Sequence, residues 1–296
     1  MLYTITSAIE VDRPVLISAL AGWVDAASAG TGTISHIAGT SEEVVVFDPD
    51  ALFDYRANWP VLDIVDGTPQ QLVWPEVTVR RARRDGRDLL VLSGTEPDFR
   101  WKEFATSILD LAIRFGVTEL ICVGAVPAAV PHTRPTPVLT TASRSELLQP
   151  GDRPPDGLLR VPSAAVSVID IELARHGIPT VGFWAQIPHY ISGPYYAGIV
   201  SLVNKVAAHL GVEISVQPLE EEARAQRDQL DEIVGTRPET AAHIERLESM
   251  ATAEENVSGE ELAGEIERFL RRGRTGEPNR FDDDAGPEGF GEAQRG

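Results

Sequence analysis

Val15-Leu16-Ile17-Ser18-Ala19-Leu20-Ala21-Gly22-Trp23-Val24-Asp25-Ala26-Ala27 is the most informative stretch of this sequence. Its apolar run follows Pro14 and ends at Ala21-Gly22, which is typical of a buried strand that leaves a sheet through a tight loop. The small residues from 26 to 37 then favour a helix. The order strand, loop, helix predicts the opening unit of an α/β domain.

The same alternation continues along the chain. The pair Asp85-Gly86 tolerates positive φ angles and predicts a hairpin between two β-rich stretches. Apolar residues from Trp101 to Phe115 recur every three or four positions before Gly116, which predicts an amphipathic helix with a glycine cap. Further strands are predicted at 44–47, 120–123, 138–141 and 180–184, and further helices at 168–176 and 199–210. We therefore expect residues 1–215 to form one α/β domain around a mainly parallel sheet.

Beyond Pro218 the composition changes, because strand patterns disappear and charged helical patterns replace them. Three helices are predicted at 220–234, 238–251 and 258–272. We interpret residues 216–273 as a helical appendage. Residues 274–296 are rich in Gly, Pro and acidic residues and are predicted to form a disordered tail.

The overall charge argues against two classes of partner. The chain has 26 basic and 45 acidic residues and a net charge of −19, which opposes binding to nucleic acid or to an anionic membrane. Cys122 is the only cysteine, so an intramolecular disulfide is impossible and a reducing compartment is favoured. No segment has the roughly 18 apolar residues of a membrane-spanning helix. We expect a cytoplasmic protein.

Polar and aromatic residues follow four of the predicted strands. Because ligands bind at the carboxyl ends of parallel strands in open α/β sheets, these loops are the candidate ligand pocket. Its residues are Trp23, Asp25, Thr95, Glu96, Asp98, Arg100, Thr133, Arg134, His189 and Tyr190. In a ligand site the carboxylates would accept protons and the arginines would hold an anion. Alternatively, the same side chains only position the backbone and anchor the loops.

The common catalytic and cofactor motifs are missing from the sequence. The glycines of residues 28–33 lack the third glycine of a dinucleotide site and the lysine of a phosphate loop. The six histidines lack the spacing of metal ligands, and Cys122 lies within an apolar strand without a neighbouring base. We predict no cofactor and no metal, and the sequence favours a protein that is not an enzyme.

Four segments together resemble a known family. They are residues 15–27, residues 92–98 with Trp101, residues 123–127, and residues 181–190. The chain resembles the actinobacterial branch of the proteasome-assembly-chaperone-2 (PAC2) family. That resemblance implies a three-layer phosphorylase/hydrolase-like core and self-association. A dimer, a trimer and a tetramer are all compatible with it. It also implies proteasome subunits as partners, although Gln294-Arg295-Gly296 is not the hydrophobic-tyrosine tail of some archaeal relatives.

Two functions are compatible with these observations. The first is a self-associating assembly or scaffold factor of the proteasome-assembly-chaperone type, which the resemblance implies. The alternative is a small-molecule enzyme of hydrolase, phosphorylase or ligase type that uses the loops at the strand ends.

Overall fold

A computed structural model describes residues 2–253 and the two positions 264 and 267. The strands are β1 (Tyr3–Ile5), β2 (Val15–Ala21), β3 (Glu42–Phe47), β4 (Val61–Val65), β5 (Thr68–Val73), β6 (Val77–Arg84), β7 (Arg87–Thr95), β8 (Glu119–Ala128), β9 (Val138–Ala142) and β10 (Thr180–Pro188). The helices are α1 (Ala29–Ala38), α2 (Pro49–Leu52), α3 (Trp101–Phe115), α4 (Ala165–Arg175), α5 (Tyr196–Leu210), α6 (Gln217–Thr236) and α7 (Pro238–Ala253).

Eight strands form one mixed sheet in the order β1-β3-β6-β7-β2-β8-β10-β9. The four central strands β7, β2, β8 and β10 are parallel to one another. The strands at both edges pair antiparallel. The parallel centre is the part of the sheet whose carboxyl ends form a common edge, and this edge carries the predicted ligand loops.

Helices cover both faces of the sheet. Helices α1 and α5 pack on one face, and α3 and α4 pack on the other. Successive residues of β2 point to opposite faces, so Leu16 joins the core beneath Phe104 of α3 while Ile17 joins the core beneath Ile34 of α1. This burial on both faces explains why the sequence of β2 is a continuous apolar run. The predicted three-layer α/β fold class is confirmed.

Local sequence signals correctly identified several elements. The predicted helix from Trp101 to Phe115 is α3, and Gly116 ends it in the left-handed conformation at φ +67°. The turn between β6 and β7 has φ +48° at Asp85 and +79° at Gly86, as a tight hairpin requires. The predicted helices at 220–234 and 238–251 correspond to α6 and α7.

The remaining C-terminal predictions fall largely outside the described residues. These are the third helix at 258–272 and the disordered tail at 274–296. The domain boundaries at residues 215 and 273 stay a prediction. In the described part of the chain, α6 packs against α5 of the core and α7 packs against α6.

Strands β4 and β5 form a separate two-stranded hairpin that the sequence analysis missed. Every residue of both strands is exposed. Trp59, Val61 and Ile64 are 75%, 60% and 59% exposed. At the base of the hairpin, the ring of Trp74 packs edge-on against Tyr55 with centroids 4.8 Å apart. A large apolar surface therefore projects from the core.

Candidate functional site

The four predicted ligand loops follow β7, β2, β8 and β10, which are consecutive neighbours in the sheet. Because these strands are parallel, the loops lie along one edge of the sheet. They form two pairs with different surroundings. The loops after β2 and β7 contact the amino ends of core helices, whereas the loops after β8 and β10 contact the C-terminal helices α6 and α7.

Asp25 binds the first turn of α1. Its Oδ1 accepts hydrogen bonds from the amides of Gly30 at 2.7 Å and Thr31 at 3.0 Å, and its Oδ2 accepts one from the Thr31 hydroxyl at 2.5 Å. Burial raises the pKa of the Asp25 carboxyl, although these hydrogen bonds act in the opposite direction. The carboxylate satisfies amides that have no partner within the helix. Asp25 thus holds α1 against the sheet edge.

Two glycines allow this helix to approach the sheet closely. A Cβ on Gly30 would lie 3.0 Å from the Cα of Gly124 in β8. The amide of Ala125 also donates to the carbonyl of Val24 at 2.6 Å, so the loop after β2 is fixed to β8. Trp23 turns away to the other face, where its indole Nε1 donates to the carbonyl of Ser163 at 3.2 Å.

Glu96 binds the N-terminus of α4 in the way that Asp25 binds the N-terminus of α1. Its Oε1 accepts a hydrogen bond of 2.6 Å from the amide of Ala165, the first residue of that helix. Burial raises the pKa of the Glu96 carboxyl, and the charge of Asp98 acts in the same direction. A carboxylate at a helix N-terminus also interacts favourably with the helix dipole.

The other residues of this loop are also engaged within the chain. Asp98 Oδ2 accepts from the amide of Asp54 at 2.8 Å and from Asn58 Nδ2 at 2.9 Å. The Thr95 amide donates to the carbonyl of Glu76 at 2.9 Å. Arg100 is exposed and pairs with Glu103 at 2.5 Å on the first turn of α3. These contacts hold backbone and neighbouring side chains in place.

His132 and Tyr190 connect the other two loops to each other. The backbone amide of His132 donates to the Tyr190 hydroxyl at 2.8 Å, and the same hydroxyl lies 2.7 Å from His132 Nδ1. His132 Nε2 lies 3.2 Å from Asp231 Oδ1 on α6. Burial raises the pKa of the Tyr190 phenol strongly, which favours the protonated form that serves as a hydrogen-bond partner.

Helix α7 contacts the same two loops. The Thr133 hydroxyl donates to Glu248 Oε1, and Arg134 Nη2 donates to the Thr252 hydroxyl at 3.2 Å. The rings of His189 and His243 meet edge-on with centroids 5.4 Å apart. Four predicted pocket residues, namely Thr133, Arg134, His189 and Tyr190, therefore lie beneath or beside the C-terminal helices. Sequence reasoning gave no indication that these helices return to the strand ends.

The hydrogen bonds of the strand-end carboxylates favour a structural role, in which these side chains hold the backbone in place. Asp25, Glu96 and Asp98 each accept hydrogen bonds from backbone amides of other segments. Burial and the nearby charge of Asp170 raise the pKa of the Cys122 thiol well above its usual range, so this cysteine is a poor nucleophile. Among residues 2–253, 264 and 267, no group of three or more His, Cys, Asp or Glu side chains is arranged to hold a metal ion. The role of the ten residues as a ligand pocket stays a prediction.

The packing of His243 should make the docking of α7 depend on pH. Burial lowers the pKa of His243, and His189 and Arg246 act in the same direction. Since the folded pKa lies below the unfolded value of about 6.5, this contribution to stability is fully present above pH of about 6.5 and is lost as the pH falls from there through the folded pKa. We expect amide exchange in α7, corrected for intrinsic rates, to accelerate between pH 7.5 and 5.5.

Two variants separate this effect from other titrations. His243→Gln should reduce the pH dependence of exchange in α7, whereas His176→Gln on the exposed end of α4 should leave it unchanged. Equal pH profiles for the wild-type protein and His243→Gln would contradict the assignment.

The family model for the PAC2 family matches residues 19–234, which include all four strand-end loops. The chain belongs to the PAC2 family. It also matches a Corynebacterium glutamicum protein of unknown function at 30% identity and a TM-score of 0.80, over 85% of this chain and 97% of that one. A Mycobacterium tuberculosis proteasome-assembly chaperone homologue matches at 31% identity and a TM-score of 0.71, over 78% and 99% of the two chains.

A more distant match shows the shared fold alone. The archaeal proteasome activator PbaB of Pyrococcus furiosus is 15% identical with a TM-score of 0.62, over 78% of this PAC2 chain and 97% of that chain. A comparison with curated proteins found no match. In the described part of the chain, no helix combines the length and apolar character needed to cross a bilayer.

Proposed function

We propose that this PAC2 protein is a self-associating assembly factor of the proteasome-assembly-chaperone type. The observation that carries the proposal is the exposed β4–β5 hairpin. Family membership and the similarity to a mycobacterial proteasome-assembly chaperone homologue support the class of function. The use of the strand-end carboxylates to hold helices and loops favours this function over a small-molecule enzyme.

The hairpin has the properties of a surface that another protein covers. An isolated two-stranded hairpin is marginally stable in water, and among the described residues no third strand pairs with β4 or β5. Both of its faces are exposed and carry large apolar side chains. Contiguous apolar patches of this kind mark interaction sites in soluble proteins. The exposed large apolar residues of the hairpin and its flanks are Trp59, Val61, Leu62, Ile64, Val65, Leu72, Val73 and Trp74.

We infer that a second copy of this chain covers the hairpin. Each copy carries the same apolar surface, so a symmetric oligomer buries all of them at once. A closed dimer, trimer or tetramer would satisfy this condition. Proteasome subunits would then be the clients of the oligomer, and such clients place the protein in the cytoplasm.

Charged residues on the hairpin should dissociate the oligomer. We expect the double variant Val61→Lys with Ile64→Lys to elute as a monomer near 32 kDa, because lysine ammonium groups would be desolvated in the interface. Light scattering coupled to size-exclusion chromatography measures this mass. Stability of the monomer should change little, since both side chains are already exposed.

A matched control uses exposed apolar residues elsewhere. Ile113 on α3 and Ile171 on α4 are 66% and 51% exposed, and their replacement by lysine should leave the mass of the oligomer unchanged. An oligomer that persists in the hairpin variant would contradict self-association through β4 and β5.

The proteasome role has a separate test. Purified proteasome α and β subunits should assemble faster with the wild-type protein than without it, and the lysine variant of the hairpin should accelerate assembly less. Native gels and the disappearance of unprocessed β precursor measure the rate. An unchanged rate with the wild-type protein would contradict the proteasome role and leave self-association intact.

A further inference from the structure

One side of α6 borders a cleft beside α5. Residues at three- and four-residue spacing on this side line the cleft: Glu220, Ala223, Arg224, Arg227 and Leu230. A helix that packs on a core usually places an apolar stripe toward that core. In α6 the half-buried positions toward the core are Leu219, Ala223, Gln226, Leu230 and Val234. The charged residues Glu220, Arg224 and Arg227 are exposed on the neighbouring side. The cleft therefore lies along the exposed edge of the packed helix, where charged and apolar side chains meet.

The resulting cleft has the size and lining of a small-molecule site. Its volume is about 360 Å³, within the range of ligand pockets in proteins. The apolar wall combines Val200 of α5 with Ala223 and Leu230 of α6. Tyr195 also lines the cleft, and it is only 3% exposed. The cleft is open to solvent on the side of the charged residues.

Three guanidinium groups line this cleft in a chain whose net charge is −19. Arg224 and Arg227 come from α6, and Arg134 comes from the loop after β8. Arg134 donates one hydrogen bond to Thr252, and Arg227 Nε lies 3.7 Å from Asp231. Each guanidinium has five N–H donors, so these contacts leave further donors for a ligand. Glu220 is the one carboxylate among the lining residues.

We propose that the cleft between α5 and α6 binds a small organic anion with an apolar body. Arg134, Arg224 and Arg227 hold its carboxylate or phosphate group, because guanidinium groups bind both in a bidentate manner. The apolar body lies against Val200, Ala223 and Leu230. This site is independent of the hairpin and of the proposed assembly function. A bound anion would also connect α6 to the core.

Binding can be measured by titration calorimetry on the full chain. We expect hexanoate or hexyl phosphate to bind, and the tighter of the two identifies the preferred head group. Hexylamine should bind at least about tenfold more weakly, because its charge is repelled by the guanidinium groups. Inorganic phosphate should also bind at least about tenfold more weakly, because it lacks the apolar body.

Variants locate the site. Arg224→Gln with Arg227→Gln should weaken binding of the preferred anion at least about tenfold, since charge-assisted hydrogen bonds are lost from exposed side chains that the fold does not need. Val200→Trp should also weaken it, by filling the apolar side while all three arginines remain. Arg175→Gln, on the exposed end of α4, is the matched control and should bind like the wild-type protein. Failure of both hexyl anions to bind, equal binding of hexylamine, or unchanged binding in the double arginine variant would each overturn the proposal.

Discussion

Gly94→Ala should lower the free energy of unfolding by about 4 kcal/mol or more, so that much of the chain fails to fold. Gly94 lies in β7 between Val77 of β6 and Leu20 of β2, at a φ of +137° that side chains rarely adopt. An added Cβ would lie 2.0 Å from the backbone carbonyl oxygen of Glu76. The neighbouring strand must move to relieve this contact, which disturbs pairing in the centre of the sheet. Urea denaturation of the purified variant measures the loss.

Gly86→Ala is the matched control for this prediction. Gly86 also has a positive φ, +79°, but nothing lies within 4 Å of the position of an added Cβ. The expected loss is only about 1–2 kcal/mol, the conformational cost of a left-handed residue. Equal losses at both glycines would show that the contact with Glu76 is relieved without effect.

Asp25→Ala should lower the free energy of unfolding by about 2–4 kcal/mol. The substitution removes the acceptor of three hydrogen bonds and leaves the amides of Gly30 and Thr31 without a partner at the partly buried start of α1. Asp25→Asn retains one acceptor oxygen and should lose about half as much. Chemical denaturation, followed by the circular dichroism of the helices, measures both losses.

The N-cap of another helix provides the comparison. Asp48 caps the short helix α2 with one hydrogen bond of 3.1 Å to the amide of Asp50, in an exposed setting. Asp48→Ala should lose only about 0.5–1 kcal/mol. If Asp25→Ala is no more destabilising than Asp48→Ala, the structural role of Asp25 is contradicted. The candidate role of Asp25 as a proton acceptor would then become the better interpretation.

The elements that the sequence predicted well are those with strong local signals. β2 has an apolar run that two covering layers explain, and α3 has a regular apolar spacing closed by Gly116. The turn at Asp85-Gly86 depends only on the backbone preferences of two residues. In each case the residues that determine the element lie within about 15 neighbouring positions, which is the range over which hydrophobic periodicity predicts secondary structure.

The β4–β5 hairpin was missed for a physical reason. Its apolar residues lie on both faces, so it lacks the alternation of apolar and polar residues that marks a half-buried strand. Its turn, Asp66-Gly67, carries the same signal as Asp85-Gly86 and could have revealed it. The turn signal thus predicts the hairpin, whereas the pattern of its strand residues does not.

The side-chain contacts of the candidate site cannot be predicted from neighbouring residues in the sequence. Glu96 binds the amide of Ala165, which is 69 positions away in the sequence, and His132 contacts Asp231 across 99 positions. The sequence identified the carboxyl ends of the strands as polar and correctly placed the loops after parallel strands. It could not assign partners to the side chains, because those partners are brought there by the packing of α4, α6 and α7.

The position of β2 in the sheet has a consequence for synthesis on the ribosome. β2 is made early, yet it pairs on one side with residues 89–95 and on the other with residues 119–122. Until those residues leave the exit tunnel, the nascent chain carries an unpaired apolar strand. Long-range pairing of this kind slows folding and exposes the chain to aggregation. Translation of this PAC2 chain is thus a period of aggregation risk that ends only when residues 89–95 and 119–122 pair with β2.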